Sequence, residues 1–263
     1  VLLRGDRFPL SCSGRAPPLA VTAAMVLTRQ LAALPGNLAC RRVAGSAAGA
    51  AAAEVVAAGL AAGGPHAPRA FLQKLYGKDG SSGYEPEARG EAPDVPLGPY
   101  GELLPAASLK LVRALELQEG DVFYDLGSGL GKLVLLAAAA SPASLCVGLE
   151  LSPSRIRVAK AALIKAEAQG LLEPGRCSFR CEDLFAAPLV DATVAFCCST
   201  AFPDAALGSL AERLAGLPRL RAWATLREPP TTSLARSGLQ LQQRLRLDTS
   251  WRRGSCVLVY GRS

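Results

Sequence analysis

The chain has 263 residues, half of them apolar, and a formal net charge of +7. This length suits one sizeable α/β domain with an extension. Residues 1–70 hold 7 Arg against two acids, residues 71–212 hold 12 Lys and Arg against 18 acids, and residues 213–263 hold 10 Arg against two acids. An acidic middle argues against a body that binds nucleic acid generally, and confines any such contact to the basic ends. At the C-terminal edge, a basic docking surface and simple solvated arginines remain alternatives.

The eight cysteines form no CxxC pair. Three of them lie in apolar, strand-like runs: Cys146, Cys197 and Cys198. This usage is typical of reduced, buried thiols in a reducing compartment, without a disulfide framework. Cys177 and Cys181 lack a second pair, and the only histidine, His66, is distant in sequence. We therefore expect no metal site.

Residues 1–70 form an Ala/Gly/Arg-rich extension that is nearly free of acids. From Met25, the only methionine, the composition is basic and acid-free, as in a chloroplast or mitochondrial transit peptide. Two alternatives remain open: residues 1–24 are untranslated upstream sequence, or the alanine run belongs to a disordered arm. The alanine- and glycine-rich stretch 43–64 contains Glu54 and is too weakly apolar to predict a membrane span. Residues 71–99, rich in Gly, Pro and charge, are predicted to be an irregular lead-in loop.

Regular alternation begins near residue 100, and we assign residues 100–263 to one domain. A helix is predicted in ASLKLVRALEL, and then strands and helices alternate. The predicted strands are DVFYDLG, SLCVGLE, CSFRCED, ATVAFCCS, RAWATLRE, LQLQQRLRL and SCVLVYGR. The last two are too close together for an intervening helix, so they should pair antiparallel. The pattern predicts an α/β fold: a Rossmann-like, doubly wound, seven-stranded and mostly parallel sheet that ends in an antiparallel hairpin.

The turn DLGSGLGK, residues 125–132, follows the first predicted strand and begins its helix. A P-loop is excluded because Leu126 stands where its first glycine belongs and Leu133 replaces the hydroxyl that binds Mg²⁺. The dinucleotide fingerprint fails as well, because its third glycine falls one place early, at Gly131. What remains is an acid, Asp125, two residues before three alternate glycines. An acid at a strand tip favours a ligand that carries positive charge there.

Acids end three successive predicted strands. Asp125 ends the first and Glu150 the second, and Glu182 and Asp183 end the third. In a parallel sheet these tips face one crevice, where a carboxylate can accept ribose hydroxyls and another can accept an adenine amino group. S-adenosylmethionine carries an ammonium and a sulfonium but no phosphate, so it suits this set better than a nucleotide. Taken singly, each acid could instead begin a turn or cap a helix.

From Tyr100 to about Tyr260 the sequence resembles the class I S-adenosylmethionine-dependent methyltransferases. More narrowly, it resembles the disruptor-of-telomeric-silencing (DOT1-like) family, the non-SET histone-lysine methyltransferases. The motifs that carry the resemblance are YGE at Tyr100–Glu102, DVFYDLGSGLGK at Asp121–Lys132, GLELSPSR at Gly148–Arg155, ED at Glu182–Asp183 and STAF at Ser199–Phe202.

The resemblance implies a role for each matched residue. Tyr100, Gly101 and Glu102 belong to a loop that closes over the methionine end of the cofactor. Asp125 faces the amino group of the cofactor, Glu150 holds its ribose and Asp183 contacts its adenine. The remaining implied cofactor residues are Gly127, Ser128, Gly129, Gly131, Glu182 and Leu184. The implied residues of the lysine channel and of catalysis are Tyr100, Cys198, Ser199 and Phe202.

The implied activity is transfer of a methyl group to a lysine of a protein substrate, a histone or nucleosome by resemblance, with the lysine proton lost to water or through Tyr100. This chain has Cys198, Ser199 and Thr200 where histone-acting members have paired asparagines and an aromatic residue. Alternatives are a non-histone, organellar protein, an RNA or a small molecule as substrate, or a cofactor-binding module without turnover. The family role implies the nucleus, and a transit peptide in residues 25–70 implies a chloroplast or mitochondrion.

Overall fold

The computed structural model describes residues 47–62, 64, 66–77 and 101–262. In chain order the elements are α1 (Ala47–Ala62), α2 (Ala67–Tyr76), α3 (Pro105–Ala114), β1 (Val122–Leu126), α4 (Lys132–Ala140), β2 (Leu145–Glu150), α5 (Pro153–Ala168), β3 (Cys177–Cys181), β4 (Val194–Cys197), a 3₁₀ turn (Ser199–Ala201), α6 (Asp204–Ala215), β5 (Ala222–Thr225), α7 (Thr231–Ser237), β6 (Leu239–Leu247) and β7 (Ser255–Arg262).

The strands form a seven-stranded sheet in the order β3-β2-β1-β4-β5-β7-β6. The first five strands are parallel to one another, and β7 pairs antiparallel with both β5 and β6. The strand order reverses at β1, whose neighbours are β2 and β4. The predicted fold class, with its antiparallel C-terminal hairpin, is confirmed. A ligand crevice is expected at the carboxyl edge of the strands beside this switch point.

Local sequence explains why these elements form where they do. Strand β1 is buried along its whole length, as expected for a central parallel strand covered on both faces. Helix α5 begins as predicted, with Ser152 as its N-cap, Pro153 in its first turn and the Ser152 hydroxyl accepting from the amide of Arg155 at 3.4 Å. These features place the ends of β1 and β2, and the helices that follow them, side by side.

Alternate strand residues feed two apolar layers, one on each face of the sheet. On one face, Phe123, Cys146 and Phe196 pack with α1 to α5. On the other face, Tyr124 and Trp223 pack with α6 and with the segment that follows β3. The sheet is therefore covered on both sides, as in other doubly wound folds.

The structure differs from the sequence prediction at α2. The expected boundary between the extension and the lead-in loop, at residues 70 and 71, falls inside this helix. Its apolar side chains follow helical spacing and are buried: Pro68, Phe71, Leu72 and Leu75. The preceding helix α1 contributes the buried Leu60 to the same layer. Residues 67–76 are therefore part of the packed body.

The rest of the predicted extension and lead-in, residues 1–46, 63, 65 and 78–99, lies outside the described residues, and so does Tyr100. About half of the segment 25–70, for which a transit peptide is predicted, therefore lies outside the described residues. Among the described residues, no helix has both the length and the apolar character that crossing a bilayer requires. The short helix α7, which the sequence prediction missed, follows the Pro229–Pro230 pair and packs on α6.

Candidate active site

An open cleft with about 410 Å³ of empty space lies beside the tip of β1. Three parts of the chain supply most of its wall: the loop 101–103, the β1 tip with the following turn, and the start of α4. The residues that line the cleft are Gly101, Glu102, Leu103, Ser108, Asp125, Gly127, Ser128, Gly129, Lys132, Leu133, Phe196 and Cys198.

The glycine turn joins β1 to α4 with left-handed backbone at all three glycines. The amides of Gly127 and Ser128 both donate to the carbonyl of Leu149, at 2.9 and 2.8 Å, which holds the turn against β2. At Gly131, with φ of 80°, a β-carbon would lie 2.5 Å from the ring of Phe179. The third glycine is thus required by conformation and by packing, and its place in the sequence need not follow a dinucleotide fingerprint.

Asp125 lies inside the cleft and is almost completely buried, with 4 % of its surface exposed. Burial, with a further contribution from the nearby Glu150, raises the pKa of Asp125 to about 8. A carboxyl in this state ionises readily only when a positive charge approaches it. A cation placed beside Asp125 would favour the ionised carboxylate and lower this pKa, and the predicted contact of Asp125 with an ammonium group stays a prediction.

Glu150 lies under the turn and is not among the residues that line the cleft. Its two carboxylate oxygens accept from the amides of Gly129 and Ser152, both at 2.9 Å, and Arg155 lies 3.7 Å away. Each carboxylate oxygen has two lone pairs, so both can accept a further hydrogen bond. The predicted role in holding ribose stays a prediction; what the structure shows is a carboxylate that anchors the turn.

The three predicted site residues after β3, Glu182, Asp183 and Leu184, do not line the cleft. The two acids among them differ in burial and in their hydrogen bonds. Asp183 is exposed, and its side chain accepts from the amide of Phe185 at 2.9 Å within its own turn. Glu182 has a buried carboxylate oxygen, Oε2, without a hydrogen-bond partner. Leu184 is half-buried and packs on the apolar layer that contains Tyr124. Glu182, more than Asp183, has spare capacity to accept a ligand donor.

Among the predicted channel and catalytic residues that the structure describes, only Cys198 lines the cleft. Its thiol donates to the carbonyl of Gly101 at 3.5 Å. Burial raises the pKa of this thiol to about 11, and the charge of Asp125 adds to the rise. Cys198 is therefore a neutral thiol at physiological pH, which suits a wall of the site and not a nucleophile.

Ser199 and Phe202 do not line the cleft. Ser199 is fully buried, its hydroxyl shares a 2.7 Å hydrogen bond with Thr225, and it accepts from the amide of Arg227 at 3.0 Å. Phe202 is half-buried, and its ring centroid lies 6.0 Å from that of Phe185. The segment after β3 thus reaches the segment after β4 across the carboxyl edge of the sheet.

The loop 101–104 is held by the tip of the β6–β7 hairpin, a contact that the sequence analysis missed. Glu102 and Ser250 exchange two hydrogen bonds, the carbonyl of Glu102 accepting at 2.8 Å and the Ser250 hydroxyl at 3.2 Å. Leu103 forms an isolated antiparallel bridge with Thr249. A β-carbon at Gly101 would overlap with the ring of Trp251. Nothing local in sequence joins these segments, because they are almost 150 residues apart.

Lys132 also belongs to the cleft wall, although the sequence analysis did not assign it to the site. Its ammonium lies 2.6 Å from the carboxylate of Glu102, and both side chains are mostly shielded from solvent. The pair joins the first turn of α4 to the loop over the cleft. The GK dipeptide, which suggests a P-loop and fails that test, here supplies the lysine of an ion pair.

Comparison with known proteins finds a family match in the part of the chain that contains the loop 101–103 and the glycine turn. Residues 98–171 match the family model of the histone methylation protein DOT1. This segment contains YGE, the glycine turn and Glu150, and it ends before Glu182 and Cys198. The match confirms the resemblance predicted from the sequence, to class I S-adenosylmethionine-dependent methyltransferases and, more narrowly, to the DOT1-like family.

One curated relative is the histone-lysine N-methyltransferase, H3 lysine-79 specific, of Caenorhabditis elegans. It is 45 % identical over 53 residues, which is 20 % of this chain and 6 % of that protein. The DOT1-like resemblance thus covers a small part of a much longer relative. The family-model match includes the loop 101–103 and the glycine turn, and it does not include Phe196 or Cys198.

Two solved methyltransferase structures share the fold at low sequence identity. An RNA methyltransferase of Salinibacter ruber in complex with S-adenosyl-L-homocysteine has 23 % identity and a TM-score of 0.43, with coverage of 64 % of this chain and 93 % of that one. The geranyl diphosphate C-methyltransferase of Streptomyces coelicolor has 15 % identity and a TM-score of 0.47, with coverage of 60 % and 80 %. Likeness of this degree carries no argument about the reaction.

Proposed function

We propose that this protein is a methyltransferase that uses S-adenosylmethionine to methylate a lysine side chain of another protein. The observation that carries the proposal is Asp125, a buried carboxyl with a raised pKa inside a cleft walled by the glycine turn. Most of the residues that line this cleft, though not Phe196 and Cys198, lie in the segment that matches the DOT1 family model.

The residues present fit this cofactor on three counts. Asp125 offers a carboxyl that a cationic ammonium would ionise, and its surroundings are dry enough to make the pair strong. The glycine turn lets a ligand approach the backbone at Gly127 and Gly129, where no side chain intervenes. Glu182, in the segment after β3 and outside the cleft lining, has a buried carboxylate oxygen without a partner, which would accept from an adenine amino group that reached it. Glu150 would accept from ribose while it continues to hold the turn.

The cofactor, when bound, supplies an activated methyl group on a cationic sulfur. The protein contributes alignment and exclusion of water. Leu103, Leu133 and Phe196 supply apolar wall, and Cys198 adds a neutral thiol. An apolar approach lowers the pKa of an entering lysine ammonium, so that its proton leaves to water and the free amine remains.

The choice of acceptor rests on the family resemblance alone. The matched segment ends at residue 171, and the acceptor side of the cleft is formed by Phe196, Cys198 and the loop 101–103. Ser199, which stands where histone-acting members place an asparagine, turns away from the cleft. We therefore propose a protein lysine as substrate, with histones or nucleosomes as the first candidates.

The test is transfer of tritiated methyl from S-adenosylmethionine to nucleosomes, to free histones and to an organelle extract. The Gly129→Arg variant, which fills the cleft, is the negative control. Label recovered as methyl-lysine on nucleosomes supports the histone assignment, and methyl-lysine on another protein keeps the enzyme but moves the substrate. Label on RNA or small molecules would overturn the lysine assignment. Cofactor binding without transfer to any of these acceptors would favour a binding module.

A further inference from the structure

The last residue of α2, Tyr76, contacts the glycine turn from outside the DOT1-like segment. Its hydroxyl donates to the carbonyl of Leu130 at 2.7 Å. Leu130 lies between Gly129 and Gly131, so this bond attaches α2 to the turn that walls the cleft. Burial raises the pKa of Tyr76 far above its ordinary value, and the hydroxyl therefore remains a donor at any physiological pH.

Among the described residues, three contacts from other parts of the chain hold the backbone of residues 127–130, and the hydrogen bond of Tyr76 is one of them. The other two come from β2: the carbonyl of Leu149 accepts two turn amides, and Glu150 accepts the amide of Gly129. Those two lie within the segment that matches the family model. The third comes from α2, which precedes that segment by about twenty residues of chain.

The ring of Tyr76 reaches the same site by a second contact. The ammonium of Lys132 lies 5.7 Å from the ring centroid, within the range of a cation–π interaction. The same ammonium pairs with Glu102 at 2.6 Å. One side chain therefore contacts both the turn and the lysine that holds the loop over the cleft.

Helix α2 is itself held firmly, so its contact with the turn is not incidental. Phe71, Leu72 and Leu75 are at most 6 % exposed, and Lys165 donates to the carbonyl of Leu75 at 3.3 Å. These contacts fix the C-terminal end of the helix against α5. A tyrosine at that end is a rigid support for the turn.

We propose that Tyr76 is a positioning residue of the cofactor site, which holds the glycine turn through Leu130 and the loop 101–104 through Lys132 and Glu102. The inference rests on the proposed function, because the site is assumed to bind S-adenosylmethionine. It assigns α2 to the binding site, although no residue of this helix lines the cleft.

The test compares Tyr76→Phe with Tyr124→Phe in the full chain. Both changes remove one buried tyrosine hydroxyl and keep the ring, since the hydroxyl of Tyr124 donates to Asp191 at 2.9 Å. Calorimetry measures the Kd of S-adenosylmethionine, and hydrogen exchange follows the amides of residues 127–131 without ligand. We expect Tyr76→Phe to raise the Kd by about three- to tenfold and to speed exchange in the turn, as loss of one hydrogen bond predicts. Tyr124→Phe should change neither.

Equal Kd values and equal exchange for the two variants would overturn the inference while leaving the proposed function intact. Absence of binding by the unmodified protein would overturn the proposed function instead, and the exchange data would still decide whether Tyr76 holds the turn. In turnover, the KM for S-adenosylmethionine should rise with kcat unchanged, which a general loss of stability would not produce.

Discussion

Asp125 combines burial, a second carboxylate nearby and a place in the cleft, and its protonation is therefore linked both to folding and to binding. The pKa of Asp125 rises from 3.8 to about 8 in the folded protein. Ionising the carboxyl therefore costs folding free energy. Its contribution to stability is complete at pH values below the unfolded pKa and is lost as the pH rises through about 8.

The first prediction concerns stability without ligand. Between pH 5 and pH 8.5 the free energy of unfolding of the unmodified protein should fall relative to that of Asp125→Asn, whose amide does not titrate. Urea denaturation at both pH values measures the difference. Asp191→Asn, at the amino side of β4, is the control and should follow the unmodified protein. Parallel pH profiles for Asp125→Asn and the unmodified protein would contradict the assignment.

The second prediction concerns proton release on binding. A cationic ligand ionises Asp125, so affinity for S-adenosylmethionine should rise between pH 6 and pH 8, by at most about tenfold per pH unit. Calorimetry in two buffers of different ionisation enthalpy should show proton release close to one per site at pH 7. Release near zero at pH 7 would mean that Asp125 does not meet the cation.

The third prediction is that substitutions at Cys198 and Ser199 have different effects on stability and on kinetics. Ser199→Ala removes a buried hydroxyl with two hydrogen bonds, so it should cost about 1–3 kcal/mol of stability and leave the Kd of the cofactor unchanged. Cys198→Ser changes a residue of the cleft wall and should alter the KM of the acceptor with a smaller loss of stability. Thermal unfolding and turnover kinetics measure both. If Ser199→Ala changed the KM of the acceptor and Cys198→Ser changed only stability, Ser199 and not Cys198 would belong to the acceptor channel.

At the scale of elements, the sequence pattern correctly predicted those helices and strands whose ends depend on neighbouring residues. The apolar runs of β1 and β2, the Ser152–Pro153 start of α5 and the terminal hairpin are each encoded within a few residues. Helix α2 could have been predicted from the sequence, because Phe71, Leu72 and Leu75 show helical spacing. The boundary predicted at residues 70 and 71 divided this helix instead. The contact between the hairpin tip and the loop 101–104 could not be predicted from the sequence, because residues 101 and 251 meet only through tertiary packing.

The fourth prediction tests the hairpin contact. Gly101→Ala places a methyl group against the ring of Trp251, so the loop or the ring must move and the Kd of the cofactor should rise by at least about fivefold. Trp251→Ala in the same chain should recover much of the loss by making room. Gly59→Ala, in open space on α1, is the control and should not change binding. Failure of Trp251→Ala to restore affinity would contradict the contact.

The fifth prediction tests the packing of α2. Leu75→Ala should cost about 2–4 kcal/mol of unfolding free energy, because a buried leucine leaves a cavity in the main apolar layer. Ile164→Ala, on α5 with 67 % of the side chain exposed, should cost much less. Urea denaturation of the two variants measures the difference. Equal costs would mean that residues 71–76 belong to the irregular lead-in that composition predicts.

At the scale of the whole molecule, the cofactor half and the acceptor half differ in how far sequence determines them. Asp125 lies near the end of β1, and Gly127 and Gly129 follow it directly, so a short motif places all three residues in the cleft. The acceptor wall brings the loop 101–103 and the end of β4 together, and motif matching cannot tell that Cys198 faces inward to the cleft while Ser199 turns away. The match to the family model also ends at residue 171, before the acceptor wall is complete.

The claim on which the account depends is that the cleft binds S-adenosylmethionine through Asp125 and the glycine turn. Isothermal titration at pH 8 of the unmodified protein, Asp125→Asn and Gly129→Arg tests it most directly. We predict one binding site in the unmodified protein, with affinity at least about tenfold weaker in Asp125→Asn and undetectable in Gly129→Arg, all three proteins remaining folded. Unchanged affinity in either variant, or no binding by the unmodified protein, would contradict the account.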